Sequence, residues 1–157
     1  MRFEREEIER IIPHRTPFVF VDCIENVAFG KSGVGILEIR EKSPYLRTYQ
    51  DGTRVFPRPL LIETAAQTVA FIMAGKDAGE GDNEKKPVKS GPEAQPSKGY
   101  LVRVKDFSFF KDIAPGDTLM LEVSVGASLG NLCQVDVRAV VSGAVIARGN
   151  LTFSRFA

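Results

Sequence analysis

The sequence predicts an α+β protein in which an antiparallel sheet of about six strands wraps around one long helix. Segments in the last third of the chain alternate apolar and polar side chains, which is the period of strands with one buried face, and apolar and β-branched runs near its start predict two further strands. Between them, residues 57–75 are apolar nearly all round, and a helix of that kind must be enclosed. The 157 residues fit a single domain over 1–157.

The elements before this helix are short. Isoleucines recur at helical spacing over Glu4–Ile12, which predicts an amphipathic helix ended by Pro13. A strand is predicted over Phe18–Ile24. The glycine-containing segment 30–33 then predicts a turn into an antiparallel partner over Val34–Glu41.

The elements after the helix are all strands. Tyr100–Phe110 is predicted as a strand with a bulge near Asp106, where the alternation slips. Pro115–Gly116 predicts a type II turn and Ser142–Gly143 a two-residue hairpin link. The turns separate the three remaining strands, which are 118–125, 132–141 and 145–153.

The central helix itself is predicted from prolines suited to its first turn and from Gly75, suited to the position after its last turn. It is too short and too polar to span a bilayer. The composition changes after it: residues 76–99 hold four glycines, three prolines and ten charged side chains. We expect a mobile surface loop there, as a tolerated insertion rather than a lid or docking loop.

The composition excludes several functions. Twenty-one basic and twenty acidic side chains give a net charge of +1, without the basic surplus of a nucleic-acid binder. One histidine and two cysteines are too few for a zinc cluster, so we expect no metal and no cofactor. Cys23 and Cys133 lie in apolar runs, as buried reduced thiols do. The charged start shows neither a signal nor a membrane anchor, which predicts a cytoplasmic protein.

Glu63 and Gln67 are the strongly polar side chains inside the helix, and their spacing puts them on one face. We expect the carboxylate to be desolvated, which makes Glu63 a candidate general acid or base. The structural alternative is that Glu63 pairs with an arginine while Gln67 binds neighbouring backbone.

Three segments carry a family resemblance. They are Ile-Pro-His-Arg-Thr-Pro-Phe-Val-Phe-Val-Asp at 12–22, Phe56–Pro57 followed by Leu-Leu-Ile-Glu-Thr-Ala-Ala-Gln at 60–67, and Ala-Pro-Gly-Asp at 114–117. In this order they resemble the 3-hydroxyacyl-acyl carrier protein dehydratases of the FabZ and FabA type. The resemblance covers nearly the whole chain except 76–99.

The resemblance implies a hotdog fold and a homodimer, alone or as a trimer of dimers, with active sites at the subunit interface. It also implies a substrate, an acyl thioester on the phosphopantetheine of acyl carrier protein or coenzyme A, whose chain enters a tunnel. In such enzymes a histidine of one subunit removes the proton beside the thioester carbonyl. A glutamic acid of the other subunit protonates the departing hydroxyl. Neither nucleic acid nor membrane is an expected partner.

By this resemblance Glu63 is the catalytic acid, while Gln67, Arg58 and Leu60 belong to the substrate-binding site. The family histidine falls on Tyr49, so the chain lacks the catalytic histidine and Tyr49 is the candidate assisting residue.

Further positions in the N-terminal segment and around the start of the helix also bear on the family comparison. His14 lies in the Pro-His-Arg segment and is interpreted as structural. Arg58 and Pro59 replace a glycine and a backbone donor at the start of the helix. Arg54 and Arg58 could contact a pantetheine phosphate, although loop arginines are more often simply solvated.

Three functions remain open. The favoured one is a 3-hydroxyacyl-thioester dehydratase, a hydro-lyase of fatty-acid or related lipid metabolism, with atypical or lost activity. An acyl thioesterase that uses Glu63 is the second. A non-catalytic acyl-thioester binding protein or dehydratase-partner subunit is the third.

Overall fold

A computed structural model describes residues 1–76 and 99–155. The predicted loop over 76–99 lies outside the described residues, apart from its two ends. The elements, in chain order, are β1 Arg2–Glu4, α1 Arg5–Glu9, β2 Cys23–Ala28, β3 Ser32–Glu38, β4 Arg47–Thr48, β5 Arg54–Val55, α2 Arg58–Lys76, β6 Gly99–Phe109, β7 Thr118–Leu129, β8 Leu132–Val141 and β9 Ala144–Arg155.

Seven strands form one antiparallel sheet in the order β1-β2-β3-β7-β8-β9-β6, and β4 and β5 form a separate small hairpin. The long helix α2 packs against β2, β3, β6 and β7. Leu119, Leu121 and Val123 of β7 are buried, as the alternation predicted. The α+β prediction of one sheet around one long helix is therefore confirmed, and the added strand is β1.

Close contact between β3 and α2 depends on glycine. A Cβ atom at Gly35 would lie 2.1 Å from Oγ1 of Thr68, and one at Gly33 would lie 2.7 Å from Cδ1 of Ile72. Both partners are fully buried. The strand can therefore approach the helix only because these two positions carry no side chain.

The prediction that Gly75 follows the helix was wrong, since α2 continues to Lys76. A Cβ atom at Gly75 would lie 2.0 Å from the ring of Phe29. The glycine therefore serves packing between the helix and the β2–β3 turn, not helix termination.

The first predicted strand was also placed too early, because β2 begins only at Cys23. The carbonyl of Phe18 and the N–H of Phe20 bond to the side chain of Gln67 instead of to a neighbouring strand. The predicted helix over Glu4–Ile12 shrinks to α1. The N–H of Glu4 donates to Oε2 of Glu7 at 2.9 Å, which marks the start of that helix.

The predicted irregularities of the sheet are confirmed. Asp106 has φ 51° and the register of β6 against β9 shifts between Lys105 and Ser108. Ser142 and Gly143 have φ 50° and 78°, as a two-residue hairpin requires. The alternation also predicts Val145 on the buried face with Ala147, Leu151 and Phe153. Those three are buried, but Val145 is 37% exposed, because the register of β8 against β9 shifts nearby, between Ala139 and Val140.

Candidate active site

Gln67 fixes the segment before β2 to the centre of α2. Its side chain is 1% exposed. Nε2 donates to the carbonyl oxygen of Phe18 at 2.8 Å, and Oε1 accepts from the N–H of Phe20 at 2.8 Å. Nε2 also lies 3.0 Å from Oε1 of Glu63. These bonds satisfy the buried amide and place the residues preceding Phe18 beside the helix.

His14 lies directly against Glu63. The distance from Nε2 of His14 to Oε1 of Glu63 is 3.2 Å, and both side chains are 37% exposed. The sequence interpretation gave His14 a structural role and no place near this carboxylate. The structure instead brings together His14, Glu63 and Gln67.

The hydrogen bonds among His14, Glu63 and Gln67 determine which oxygen of the Glu63 carboxylate is free to contact a substrate. Nδ1 of His14 is buried without a partner, so a proton there would lack an acceptor. Because Nε2 faces an accepting carboxylate oxygen, a ring proton on Nε2 donates to Oε1 of Glu63. Since Gln67 donates to the same oxygen, Oε2 of Glu63 is left without a donor among residues 1–76 and 99–155.

The expectation of a desolvated carboxylate was wrong for the single chain. Glu63 keeps 37% of its side chain exposed. Ile62 and Ala66, on the same side of α2, are also only partly buried. The sheet of one chain therefore leaves this side of the helix partly open.

Tyr49 lies at the tip of the β4–β5 hairpin. Its N–H donates to the carbonyl of Thr53 at 2.8 Å, and the N–H of Gly52 donates to the carbonyl of Tyr49 at 3.0 Å. The side chain is 52% exposed and makes no hydrogen bond within the described part of the chain. The structure of one chain does not bring Tyr49 to Glu63.

Arg58 and Leu60 lie at the start of α2, apart from His14. Arg58 Nη2 is 3.1 Å from Oδ1 of Asp112, and its guanidinium lies 5.1 Å from the ring centre of Phe109. The N–H of Leu60 donates to the carbonyl of Pro57 at 3.0 Å. The first turn of α2 thus offers a substrate neither the N–H of Leu60 nor one from Pro59.

An apolar cavity of about 280 Å³ begins at His14 and follows α2 toward its end. Val69, Ala70 and Met73 line it from the helix, and Phe153 and Arg155 line it from β9. Ile11, Tyr100 and Cys133 complete much of the wall. A cavity of this shape and lining suits an extended hydrocarbon chain.

The described residues also bear on metal binding and on membrane insertion. Within residues 1–76 and 99–155, no three His, Cys, Asp or Glu side chains are grouped closely enough to bind a metal ion. Neither helix in this part of the chain has the length and apolar character needed to cross a membrane.

The sheet and its central helix define a hotdog-fold protein, in which Glu63 contacts His14 at the border of an apolar cavity. The chain belongs to the FabA-like family, whose domain model matches residues 12–150.

Its relatives include the 3-hydroxyacyl-[acyl-carrier-protein] dehydratase FabZ of Thermomicrobium roseum, 30% identical over 96% of this chain and 91% of the relative. The dehydratase of the same name from Herpetosiphon aurantiacus is 31% identical over 95% of each chain.

Solved structures with the same fold include the dehydratase heterocomplex ApeI:P from Xenorhabdus doucetiae. Its TM-score is 0.71 at 17% identity, covering 96% of this chain and 91% of that one. A hypothetical thioesterase with coenzyme A from Streptococcus pneumoniae has a TM-score of 0.59 at 12% identity, covering 85% and 84%. At these identities the likeness shows the fold alone.

Proposed function

We propose that this protein is a 3-hydroxyacyl-thioester dehydratase, acting on acyl chains carried by the phosphopantetheine of acyl carrier protein or coenzyme A. The main observation in support of this proposal is that two hydrogen bonds fix the carboxylate of Glu63. His14 and Gln67 both bind Oε1, which leaves Oε2 for the substrate, and the apolar cavity begins at His14. Family membership over residues 12–150 supports the same reaction.

The elimination can be written with Glu63 alone as acid and base. With the acyl tail in the cavity beyond His14, the carbon next to the thioester carbonyl would lie against Oε2 of Glu63. The carboxylate takes the proton from that carbon, and the freed electron pair forms the double bond as the bond to the hydroxyl oxygen breaks. The protonated Glu63 then gives its proton to the leaving hydroxyl, which releases water and restores the carboxylate.

The chain is expected to be a slow member of its family. The resemblance assigns a histidine to position 49, and a general base commonly contributes about 10²- to 10⁴-fold to a rate. One backbone donor to a developing oxyanion contributes about 10²- to 10³-fold. Here Tyr49 replaces the base, and the N–H groups at 59 and 60 are absent or occupied. Both changes favour an atypical, reduced activity.

A homodimer would complete the site, and the trimer of dimers is the larger assembly consistent with the resemblance. Strand β6 forms one edge of the sheet and exposes Leu101, Val102 and Val104. Such an apolar edge favours pairing with a second copy. In that dimer, Tyr49 of one copy would assist Glu63 of the other, by donating a proton or orienting the ligand, and Leu60 and Arg58 would border the entrance.

The test is incubation with 3-hydroxybutyryl, crotonyl and butyryl thioesters, following double-bond absorbance and free thiol separately. We expect interconversion of the first two without thiol release, and its loss in Glu63→Gln. The matched control is Glu38→Gln, which changes an exposed carboxylate on β3. Thiol release that depends on Glu63 would instead establish a thioesterase. Thioester binding without any turnover, equal in wild type and Glu63→Gln, would establish a binding subunit.

A further inference from the structure

Arg155 lies at the far end of the cavity from His14 and has no anionic partner among residues 1–76 and 99–155. Its Nη2 donates to Sδ of Met73 at 3.5 Å, and sulfur is a weak acceptor. Its Nε is buried and has no hydrogen-bond partner among the residues that the structure describes. Arg54 and Arg58, by contrast, each bind a carboxylate at 3.1 Å. Arg155 makes no such ion pair in the described part of the chain.

The surroundings of Arg155 make this arrangement unusual. The cavity wall beside it consists mainly of apolar side chains from α2 and β9. The neighbouring Ser154 already accepts a hydrogen bond from Asn131 at 3.2 Å. A cation beside an apolar cavity, with a buried unpaired N–H, costs free energy unless a ligand supplies the missing acceptor.

The position along α2 indicates where that acceptor would lie. Met73, which Arg155 contacts, follows Glu63 by ten residues in the same helix. Ten residues correspond to about 15 Å along the helix axis. An acyl chain with its reacting carbons at Glu63 would therefore bring its far end, not its thioester, to the guanidinium.

We propose that Arg155 binds a carboxylate at the far end of the acyl chain, so that the preferred substrates are ω-carboxyacyl thioesters of medium length. This inference rests on the proposed function, because it uses Glu63 to fix the orientation of the chain. The Nε and Nη groups of arginine form a planar fork that matches a carboxylate with two parallel hydrogen bonds. A methyl-ended chain of equal length would leave the same groups unpaired.

The experiment compares length-matched pairs of saturated N-acetylcysteamine thioesters, one ending in methyl and one in carboxylate, from octanoyl to dodecanoyl. Binding is measured by calorimetry on the full chain, so that it does not depend on dehydration. Wild type is compared with Arg155→Met and Arg155→Gln, and with the control Arg148→Met, which alters an exposed arginine on the same strand. The corresponding 3-hydroxyacyl pairs are then assayed for dehydration.

We expect wild type and Arg148→Met to bind the carboxylate-ended thioester about tenfold more tightly than its methyl-ended match, as charge-assisted hydrogen bonds allow. Arg155→Met should reverse the order. If that variant fails to fold, Arg155→Gln and the wild-type preference still decide the outcome. The inference is overturned if wild type prefers methyl-ended thioesters, or if the Arg155 variants keep the wild-type preference for carboxylate ends. This holds even where dehydration occurs. Carboxylate selection without any dehydration refutes the proposed function and leaves the Arg155 site standing.

Discussion

Gln67 and Glu63 share one hydrogen bond of 3.0 Å, and the same Gln67 amide holds the backbone of Phe18 and Phe20. A single buried side chain therefore positions the carboxylate and also the segment that carries His14. A change at Gln67 is therefore expected to affect both the stability of the fold and the geometry of the candidate site, because the same side chain bonds to both.

Replacing Gln67 with Ala is expected to destabilise the protein strongly. The change leaves the buried N–H of Phe20 and the part-buried carbonyl of Phe18 without their partners, and an unsatisfied buried group costs about 1–3 kcal/mol. We expect a loss of about 3 kcal/mol in the free energy of unfolding, measured in urea. Gln134→Ala, at an exposed position of β8, is the control and should change stability by less than about 0.5 kcal/mol. Equal effects of the two changes would contradict this role for Gln67.

His14 is expected to act as a positioning residue whose donor matters more than its basicity. His14→Ala removes one of the two donors to Oε1 of Glu63. A hydrogen bond to a charged group contributes about 1.5–3 kcal/mol, so kcat for dehydration should fall by roughly tenfold or more with little change in KM. His14→Gln, which keeps a side-chain N–H, should recover much of that loss.

The same pair of variants tests the opposite interpretation. If His14 itself removes the substrate proton, both variants should lose about 10²- to 10⁴-fold, since Gln cannot act as a base. A measurement of kcat and KM for both proteins, with circular dichroism to establish folding, separates the two roles. An unchanged kcat in both variants would exclude both roles for His14.

The sequence predicts the helical part of this site and misses the part made by distant residues. Glu63 and Gln67 meet because four residues of helix separate them, which is a local rule. His14 reaches Glu63 through bonds from Gln67 to Phe18, 49 residues away in sequence. No periodicity encodes such a contact. The turn at 142–143 was predictable because its geometry depends on adjacent residues alone.

Tyr49→His is expected to raise the dehydration rate. The resemblance places the family base at position 49, and in a homodimer this residue would face Glu63 of the other copy. A restored base should increase kcat by about 10²-fold or more. Tyr49→Phe should lower the rate slightly or leave it unchanged. The rate of crotonyl-thioester hydration measures both.

The control for this gain is the double variant Tyr49→His with Glu63→Gln, which should be inactive. A rise in rate that persists without Glu63 would place the new histidine in a separate reaction. No rise at all, in a protein shown by light scattering to be dimeric, would refute the assignment of position 49 to the active site.

Gly35→Ala tests the close packing of β3 against α2. A Cβ atom there would lie 2.1 Å from Oγ1 of the fully buried Thr68. Overpacking of this kind typically costs about 1–3 kcal/mol of unfolding free energy. Gly126→Ala is the matched control, because its added Cβ would lie 3.5 Å from the nearest atom, the carbonyl oxygen of Gln134. Similar unfolding curves for the two variants would show that the helix and strand separate more easily than their packing indicates.

Cys23 is expected to make the free energy of unfolding fall as the pH rises in the alkaline range. Burial raises the pKa of its thiol above the ordinary value of 9.0, partly offset by the nearby Arg2 cation. The folded protein therefore holds the thiol proton where the unfolded chain releases it, so stability is full below pH 9.0 and falls as pH rises through the folded-state pKa. Unfolding free energies measured from pH 8 to about 11 should fall less steeply in Cys23→Ala than in wild type. Cys133→Ala controls for loss of a buried thiol, and a slope in Cys23→Ala equal to that of wild type would count against the effect.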